Sequence, residues 1–308
     1  MANMVSRKLK ISGERWSKPA RENMSHTTDL RLKNPDLHVA IFGKHSRDWM
    51  VALGPRARLW KGALPVKSVQ LLHENSDLSS WNDEKRANTV IIPLLEKHIT
   101  TLPDGFRHLT SPHDLIAKVS DKKKLHDFLA RSGFQEYLPA VFGEGEAVRY
   151  PCVVKRLDLY AGDGVRIAHD IEQLVSHLRD PLFRQHPYQI QELIAGEFEY
   201  VTHLVCKSGE ILEEHSFEYR MRGPAEIRRF RSPVEFNRST QSDEVMSIFS
   251  RIVRSLNFTG PCNVNFKLID GRPVVFEINP RLGGSLMKKE SIEALAKVVR
   301  AILDHADQ

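Results

Sequence analysis

Residues 260–285 read GPCNVNFKLIDGRPVVFEINPRLGGS, and the fold turns on how they pair. Asn263, Asn265 and Lys267 alternate with Val264, Phe266 and Leu268; Glu277, Asn279 and Arg281 alternate with Phe276, Ile278 and Pro280. A period of two is that of a strand. Asp270-Gly271 between the runs is a turn signal, since glycine accepts the positive φ of a tight hairpin. A three-residue turn over 270–272 sets Asn265 opposite Glu277 and Asn263 opposite Asn279. A two-residue turn shifts the register by one and separates Asn265 from Glu277. In the first register one face is apolar, and the other carries a carboxylate and two amide oxygens ending in the cation Arg281. Such oxygens suit a hard divalent cation, and Mg2+ usually arrives with phosphates. Solvated hairpins also have polar outer faces, so the case for a metal must come from elsewhere in the chain.

The chain has 308 residues, 41% hydrophobic and 27% charged, which is ordinary globular composition with length for two or three small domains. It contains no run of about 18 apolar residues, so no membrane-spanning helix is expected. The N-terminus lacks an apolar leader segment, so a secretory signal is not expected either. Cys152, Cys206 and Cys262 are far apart in apolar, strand-like contexts; they read as buried small hydrophobes in a reducing cytoplasm. The net charge of +6 suits anionic small substrates such as nucleotides. No basic run is interleaved with aromatics, so nucleic acid is not the expected partner.

In chain order, residues 1–36 are polar and basic and read as a disordered arm. Short apolar runs at 38–43, 68–72 and 89–93, with a helical stretch around 94–98, suggest a small open α/β unit. KHSRDW after Gly43 is not a dinucleotide-binding glycine fingerprint. A helix is expected over 120–132, capped by Ser120 and ended by Gly133, with Leu125, Phe128 and Leu129 on one face. Its first turn holds Asp121, Lys122, Lys123 and Lys124. Cations there oppose the helix dipole, which leaves room for a lysine held for another reason. Residues 150–155 form a strand ending in Lys155. A loop with Gly162 and Gly164 follows, then a strand over 165–168 and a helix over 170–179 with Ile171, Leu174, Val175 and Leu178 at core spacing. Strands are read at 188–196, 197–206 and 210–212. Residues 217–231 read as an irregular, arginine-rich segment with Arg220, Arg222, Arg228, Arg229 and Arg231. Arginine clusters favour phosphate or carboxylate ligands, and a solvated loop reads the same way. Helices are expected over 242–256 and 286–304.

The order and spacing of these segments resemble the ATP-grasp superfamily from Thr89 to Ala301. The Asn-Pro-Arg of FEINPR, preceded two residues earlier by Glu277, is the strongest single piece. The resemblance implies an α/β (α+β) ATP-grasp fold: a small N-terminal open α/β domain over 37–115, a mobile lid subdomain over 116–192, and a C-terminal antiparallel sheet packed by helices over 193–308. It implies that Lys122 and Lys155 reach the nucleotide phosphates. Gly162 and Gly164 belong to a flap that also takes in Ala161. Glu192, Leu193 and Ile194 would form the adenine hinge. Glu199 fits best as the ribose carboxylate, with Glu197 close by. Glu277 would bridge two Mg2+ ions and Asn279 bind one, Mn2+ being able to substitute. The family's first acidic ligand falls on Asn265, an amide that neutralises less charge. Arg281, with Lys155 and Lys267, would act on the transferred phosphoryl group.

The implied chemistry is ATP-dependent ligation. A carboxylate becomes an acyl phosphate, whose leaving group is phosphate rather than oxide, and an amine then attacks. The partners are a small carboxylic acid and an amine, amino acids or a peptide among them, and a homodimer is compatible with the reading. Arg220, Arg228, Arg229 and His203 are candidates for holding the substrate carboxylate on charge and position alone. A carboxyphosphate-forming synthetase and a nucleotide-binding protein with a degenerate site are the rivals.

Overall fold

The computed structural model describes Leu32, Asn34 and residues 36–159, 162–229 and 234–307. Most of the basic arm, Ala161 of the expected flap and Arg231 of the arginine-rich segment lie outside the described residues.

The first unit is built from β1 (His38–Phe42), α1 (Arg47–Leu53), β2 (Ser68–Leu72), α2 (Asp83–Ala87), β3 (Thr89–Pro93) and α3 (Glu96–Ile99). The strands pair in parallel in the order β2-β1-β3, as the alternation of short apolar runs with helices requires. Every residue of β3 is buried, which is why TVIIP reads as a continuous apolar run.

The helix expected over 120–132 is two helices. α4 (His113–Ser120) ends where α5 (Lys122–Leu129) begins, and Asp121 between them caps α5: its carboxylate accepts from the backbone N–H of Lys123 and of Lys124, each at 3.0 Å. The cap is therefore Asp121, one residue beyond Ser120. Ser/Thr/Asp/Asn are near-equivalent caps, so composition alone does not separate neighbours. A π-helical turn over Ala130–Phe134 follows, with Gly133 at φ 86°. Asp121→Ala should lower stability by about 1 kcal/mol, and Asp121→Asn by much less. Urea unfolding of the two variants checks this.

The second sheet holds β4 (Val141–Phe142), β5 (Cys152–Arg156), β6 (Val165–Ala168) and β7 (Tyr188–Glu192) in the antiparallel order β4-β7-β5-β6. Between β6 and β7 lie α6 (Ile171–Arg179), capped by Asp170, and the single turn α7 (Pro181–Arg184). Leu174 is buried, but Ile171, expected in the core, opens the helix and is 52% exposed.

The third sheet holds β8 (Phe198–Lys207), β9 (Glu210–Arg220), β10 (Glu235–Ser239), β11 (Gly260–Ile269) and β12 (Arg272–Asn279), antiparallel in the order β10-β9-β8-β11-β12. β9 runs to Arg220, so the first residues of the arginine-rich segment are strand rather than loop. β10, which the sequence reading does not include, pairs with them. α8 (Asp243–Ser255) packs Val245, Ile248, Phe249, Ile252 and Val253 against one face of this sheet, where the Phe249 and Phe266 rings meet edge to face at 5.0 Å. α9 (Ile292–His305) starts six residues later than expected, after 3-10 turns at Gly284–Met287 and Lys289–Ser291. It covers part of the other face and joins the core of the first unit.

The hairpin that decides the fold has the two-residue turn: Ile269 pairs with Arg272, and Asp270 and Gly271 both have positive φ (50° and 78°). Asn265 nevertheless stands opposite Glu277, and Asn263 opposite Asn279. A β-bulge resolves the conflict. Phe266 pairs with Val275 while Asn265 pairs with Glu277, so Phe276 is the extra residue on β12. The bulge restores the shift that the short turn introduces.

Candidate active site

The turn and bulge leave Asn263, Asn265 and Lys267 on one face with Glu277 and Asn279, and strand pairing extends this polar face to Glu199 and His203 on β8 and to Tyr219 on β9. Opposite it stands β5 of the second sheet, carrying Lys155, and beside both lies the first turn of α5 with Lys122. These three elements close on one cleft, lined by Lys122, Lys155, Glu277, Gln189 and Gln191 together with the apolar Val119, Leu125 and Leu138.

Lys155 has its pKa lowered, chiefly by loss of solvent; Glu277 opposes that shift, Lys122 adds to it and Glu199 opposes it. Lys122 is nearly buried. Its ammonium donates to the carbonyls of Leu157 (3.2 Å) and Leu159 (3.0 Å) and lies 3.8 Å from the Glu277 carboxylate. The lysine in a helix first turn is thus held by the glycine loop and the metal-type hairpin together. Two clustered lysines facing one carboxylate leave surplus positive charge where a polyphosphate could lie.

Within the hairpin, the Asn265 and Asn279 side-chain amides donate to Asn263 Oδ1 at 3.3 and 3.2 Å, and Asn263 Nδ2 donates to the Arg281 carbonyl at 3.1 Å. Buried Asn263 therefore orients both neighbours by their nitrogens, which leaves their carbonyl oxygens outside these bonds. The sequence reading sets Asn263 opposite Asn279 on the polar face and gives it no role of its own; its orienting role has no local signal. Glu277 with two amide oxygens fits Mg2+, which keeps waters and takes the rest of its shell from phosphates. Among the described residues no group of three or more His, Cys, Asp or Glu side chains is placed to hold a metal ion.

Gly162 and Gly164 hold φ of 78° and 68°. A Cβ on Gly162 would come 2.3 Å from the Arg228 carbonyl oxygen, and the Arg229 side chain is also close. The glycine loop thus rests against the arginine segment. Arg228 in turn donates from Nε to Glu199 at 2.7 Å, so the expected ribose carboxylate is bound by an expected substrate residue.

Other expected residues stand elsewhere. Glu192 does not line the cleft: strand period turns Gln189 and Gln191 inward, and the Glu192 carboxylate accepts from the Ala140 N–H at 3.3 Å. Leu193 is half-buried, and Ile194 is buried with its carbonyl accepting from Lys267 Nζ at 3.1 Å. Lys267 also donates to the Pro224 carbonyl at 3.3 Å, and burial lowers its pKa. Its ammonium therefore ties the backbone at Ile194 and Pro224 to the sheet. Arg281 donates from Nε to Glu96 at 2.9 Å and from Nη1 to the Leu282 carbonyl at 3.0 Å, so α3 of the first unit orients it. Arg220, one residue from Tyr219 along β9, points to the opposite face, is exposed and lies 3.7 Å from Glu235, which removes it from the cleft. Arg229 is exposed at the flap contact.

His203 is a core residue, not a carboxylate holder. It is 1% exposed, its Nε2 meets the Ser285 hydroxyl at 2.5 Å, and burial, with His215 and Arg281 nearby, lowers its pKa to about 3. It is neutral at working pH. Because the unfolded chain takes up this proton first, the stability it supports is complete above about pH 6.5 and declines as pH falls toward 3. Urea unfolding should show about 2 kcal/mol lost from this group between pH 7 and 5. His203→Gln should lose that much less over the same interval.

Comparison with known proteins gives the following. A family model described as the ATP-grasp domain matches residues 119–285. The large chain of carbamoyl phosphate synthase from Saccharolobus solfataricus is 26% identical over 175 residues, 52% of this chain; the match covers 16% of that protein's length. The D-alanine–D-alanine ligase of Bacillus anthracis complexed with ATP superposes with a TM-score of 0.59 at 16% identity, over 87% of this chain and 96% of that one. The L-amino acid ligase of Bacillus licheniformis gives 0.59 at 16% identity, over 89% and 76%. The carboxyaminoimidazole ribonucleotide synthase of Aspergillus clavatus complexed with ATP gives 0.59 at 14%, over 88% and 77%. These structures share the fold, and among the described residues no helix is long and apolar enough to cross a membrane. With a family model spanning more than half its length, this chain belongs to the ATP-grasp domain family.

Proposed function

We propose that the protein is an ATP-dependent ligase that activates a carboxylate as an acyl phosphate and joins it to an amine, releasing ADP and phosphate. The observation that carries this reading is the convergence of Lys122, Lys155 and Glu277, from three separate elements, on one cleft. The phosphate chain lies between Lys155 and Glu277, and the apolar lining of the cleft, Val119, Leu125 and Leu138 among it, takes the base. When bound, Mg2+ at Glu277, Asn265 and Asn279 neutralises the phosphate oxygens.

The chain's own residues then have separable tasks. Lys122 and Lys155 hold the phosphates and stabilise charge developing on the leaving ADP. Lys122 also links the glycine loop to Glu277, so the loop and the carboxylate that would hold the metal are tied through one ammonium. Glu199, freed from Arg228, is placed for the ribose. Arg281, oriented by Glu96, faces the junction of the first unit and the third sheet, where the acid and amine meet. The carboxylate attacks the γ-phosphorus, the bond to the β-phosphate bridging oxygen breaks, and ADP forms; the amine then attacks the acyl carbon, loses its proton and expels phosphate. The glycine loop over the cleft keeps water from the acyl phosphate.

The reading is tested by ADP release over pairs of acids and amines, with mass spectrometry of the products. ADP formed only when both are present, with an amide product, supports it. ATP turnover driven by bicarbonate would favour a carboxyphosphate-forming synthetase, the activity class to which the partial likeness to carbamoyl phosphate synthase directs attention. Nucleotide binding with no ADP from any pair would leave a binding protein.

A further inference from the structure

The third sheet has an edge that β10 covers only in part. β10 pairs with residues 216–220 of β9, and after Ser239 the chain turns away to the cap of α8 at Ser242. The rest of β9, 210–215, pairs with β8 on one side. Among the described residues no strand pairs with its other side. The outward N–H and C=O groups there are a template for an extended segment. A groove runs along this edge beside the first half of α8. Ile211, Leu212, Glu213 and Glu214 line it from the strand, with Asp243 and Met246 among the residues that line it from the helix.

Charge decides which segment fits. Glu210, Glu213 and Glu214 of β9 stand near Asp243 and Glu244 of α8. Glu213 lies 2.8 Å from His215 Nε2, and Lys297 and Arg300 of α9 also act on it. Glu214 is exposed; His215 favours its charge, while Glu213 and Asp243 add negative charge beside it. Two copies of this edge set side by side would bring their glutamates together, which disfavours a second copy as the partner. An extended segment with cations on one side and apolar groups on the other fits instead.

The chain carries such a segment in its basic arm. In VSRKLKIS, residues 5–12, Ser6, Lys8, Lys10 and Ser12 alternate with Val5, Arg7, Leu9 and Ile11, and the stretch contains no acid. The twenty residues from 13 to 32 span up to about 70 Å when extended, so reach does not restrict the pairing. Leu32, where the described chain begins, packs against the same apolar cluster as Leu212.

We propose that residues 5–12 add to the third sheet as a further strand, in the groove between β9 at 210–215 and α8. Lys8 and Lys10 face Glu214 and Asp243, and Leu9 and Ile11 face Leu212. The inference does not rest on the ligase reading, and β8 and β11 separate this edge from Glu277 on β12. A tether of this kind gives an effective concentration in the millimolar range, so a pairing with an intrinsic Kd of about 0.1 mM is roughly nine-tenths formed within one chain.

Amide hydrogen exchange of the full chain, read by mass spectrometry over 210–215, is the test. The outward amides should exchange about tenfold more slowly in the wild type than in Ser6→Pro/Leu9→Pro. Successive N–H groups of a strand point to opposite sides, so one of these two prolines removes a bonded N–H whichever way the segment faces, and the charges are kept. Lys8→Glu/Lys10→Glu should lose the same protection, and Glu214→Lys in that background should restore it to within about threefold. Exchange over 260–269 is the folding control and should not differ among these chains. Equal exchange over 210–215 in the wild type and the double-proline chain would overturn the proposal. Protection lost with the charges but kept with the prolines would also overturn it, since that is attraction without strand pairing. Protection that falls on dilution would do the same, by placing the partner on a second copy.

Discussion

Glu277→Gln should lower ADP formation at saturating ATP by at least about a hundredfold, with the protein still folded. The substitution keeps shape and one carbonyl oxygen but removes the one carboxylate among Asn265, Glu277 and Asn279. Asn265 and Asn279 contribute no charge, so nothing in the donor set replaces it. The loss also leaves Lys122, 3.8 Å away, and Lys155 without the group that offsets their mutual repulsion. A partial recovery of rate at raised Mg2+ is expected, because a weakened site fills by mass action. A coupled ADP assay with circular dichroism as the folding control measures this. Near wild-type turnover would mean that Glu277 does not serve the phosphates.

Lys155→Met should separate activity from stability in the opposite direction from most buried substitutions. Turnover falls by at least about a hundredfold, since a cation is lost where the leaving phosphates need it. The melting temperature stays level or rises. Lys155 is desolvated in the fold, its pKa is held down chiefly for that reason, and Lys122 adds repulsion. Methionine fills a similar volume without a charge to keep out of water. A clear fall in melting temperature would make Lys155 a structural group.

The hairpin, the lysine-ended strand, the glycine loop and the α8 stripe were all legible because each is a local pattern of period, turn residue or cap. What the sequence concealed was parity and partnership. Arg220 and Tyr219 are neighbours in the chain but lie on opposite faces, and a strand unrecognised as a strand gives no way to tell them apart. Reading 217–231 as irregular therefore also misplaced Arg220. Phe276 shows the reverse case: a two-residue turn and a bulge cancel, so the register anticipated from a three-residue turn is found with a different turn. Lys267, Arg281 and His203 carry chemistry-bearing side chains, yet their partners, Ile194, Glu96 and Ser285, lie 73, 185 and 82 residues away. No spacing rule reaches that far. Asn263 was passed over for the same reason, since its role is to orient Asn265 and Asn279 and is visible only once the two strands pair.

The central claim is that one nucleotide is gripped between Lys155 on the second sheet and Glu277 on the third. A crystal structure with Mg2+ and a non-hydrolysable ATP analogue tests it most directly. The account predicts phosphate oxygens within hydrogen-bonding distance of Lys155 and Lys122, and a metal bridging those oxygens to Glu277. A nucleotide seated elsewhere, or one whose phosphates and metal touch neither Lys155 nor Glu277, would contradict it.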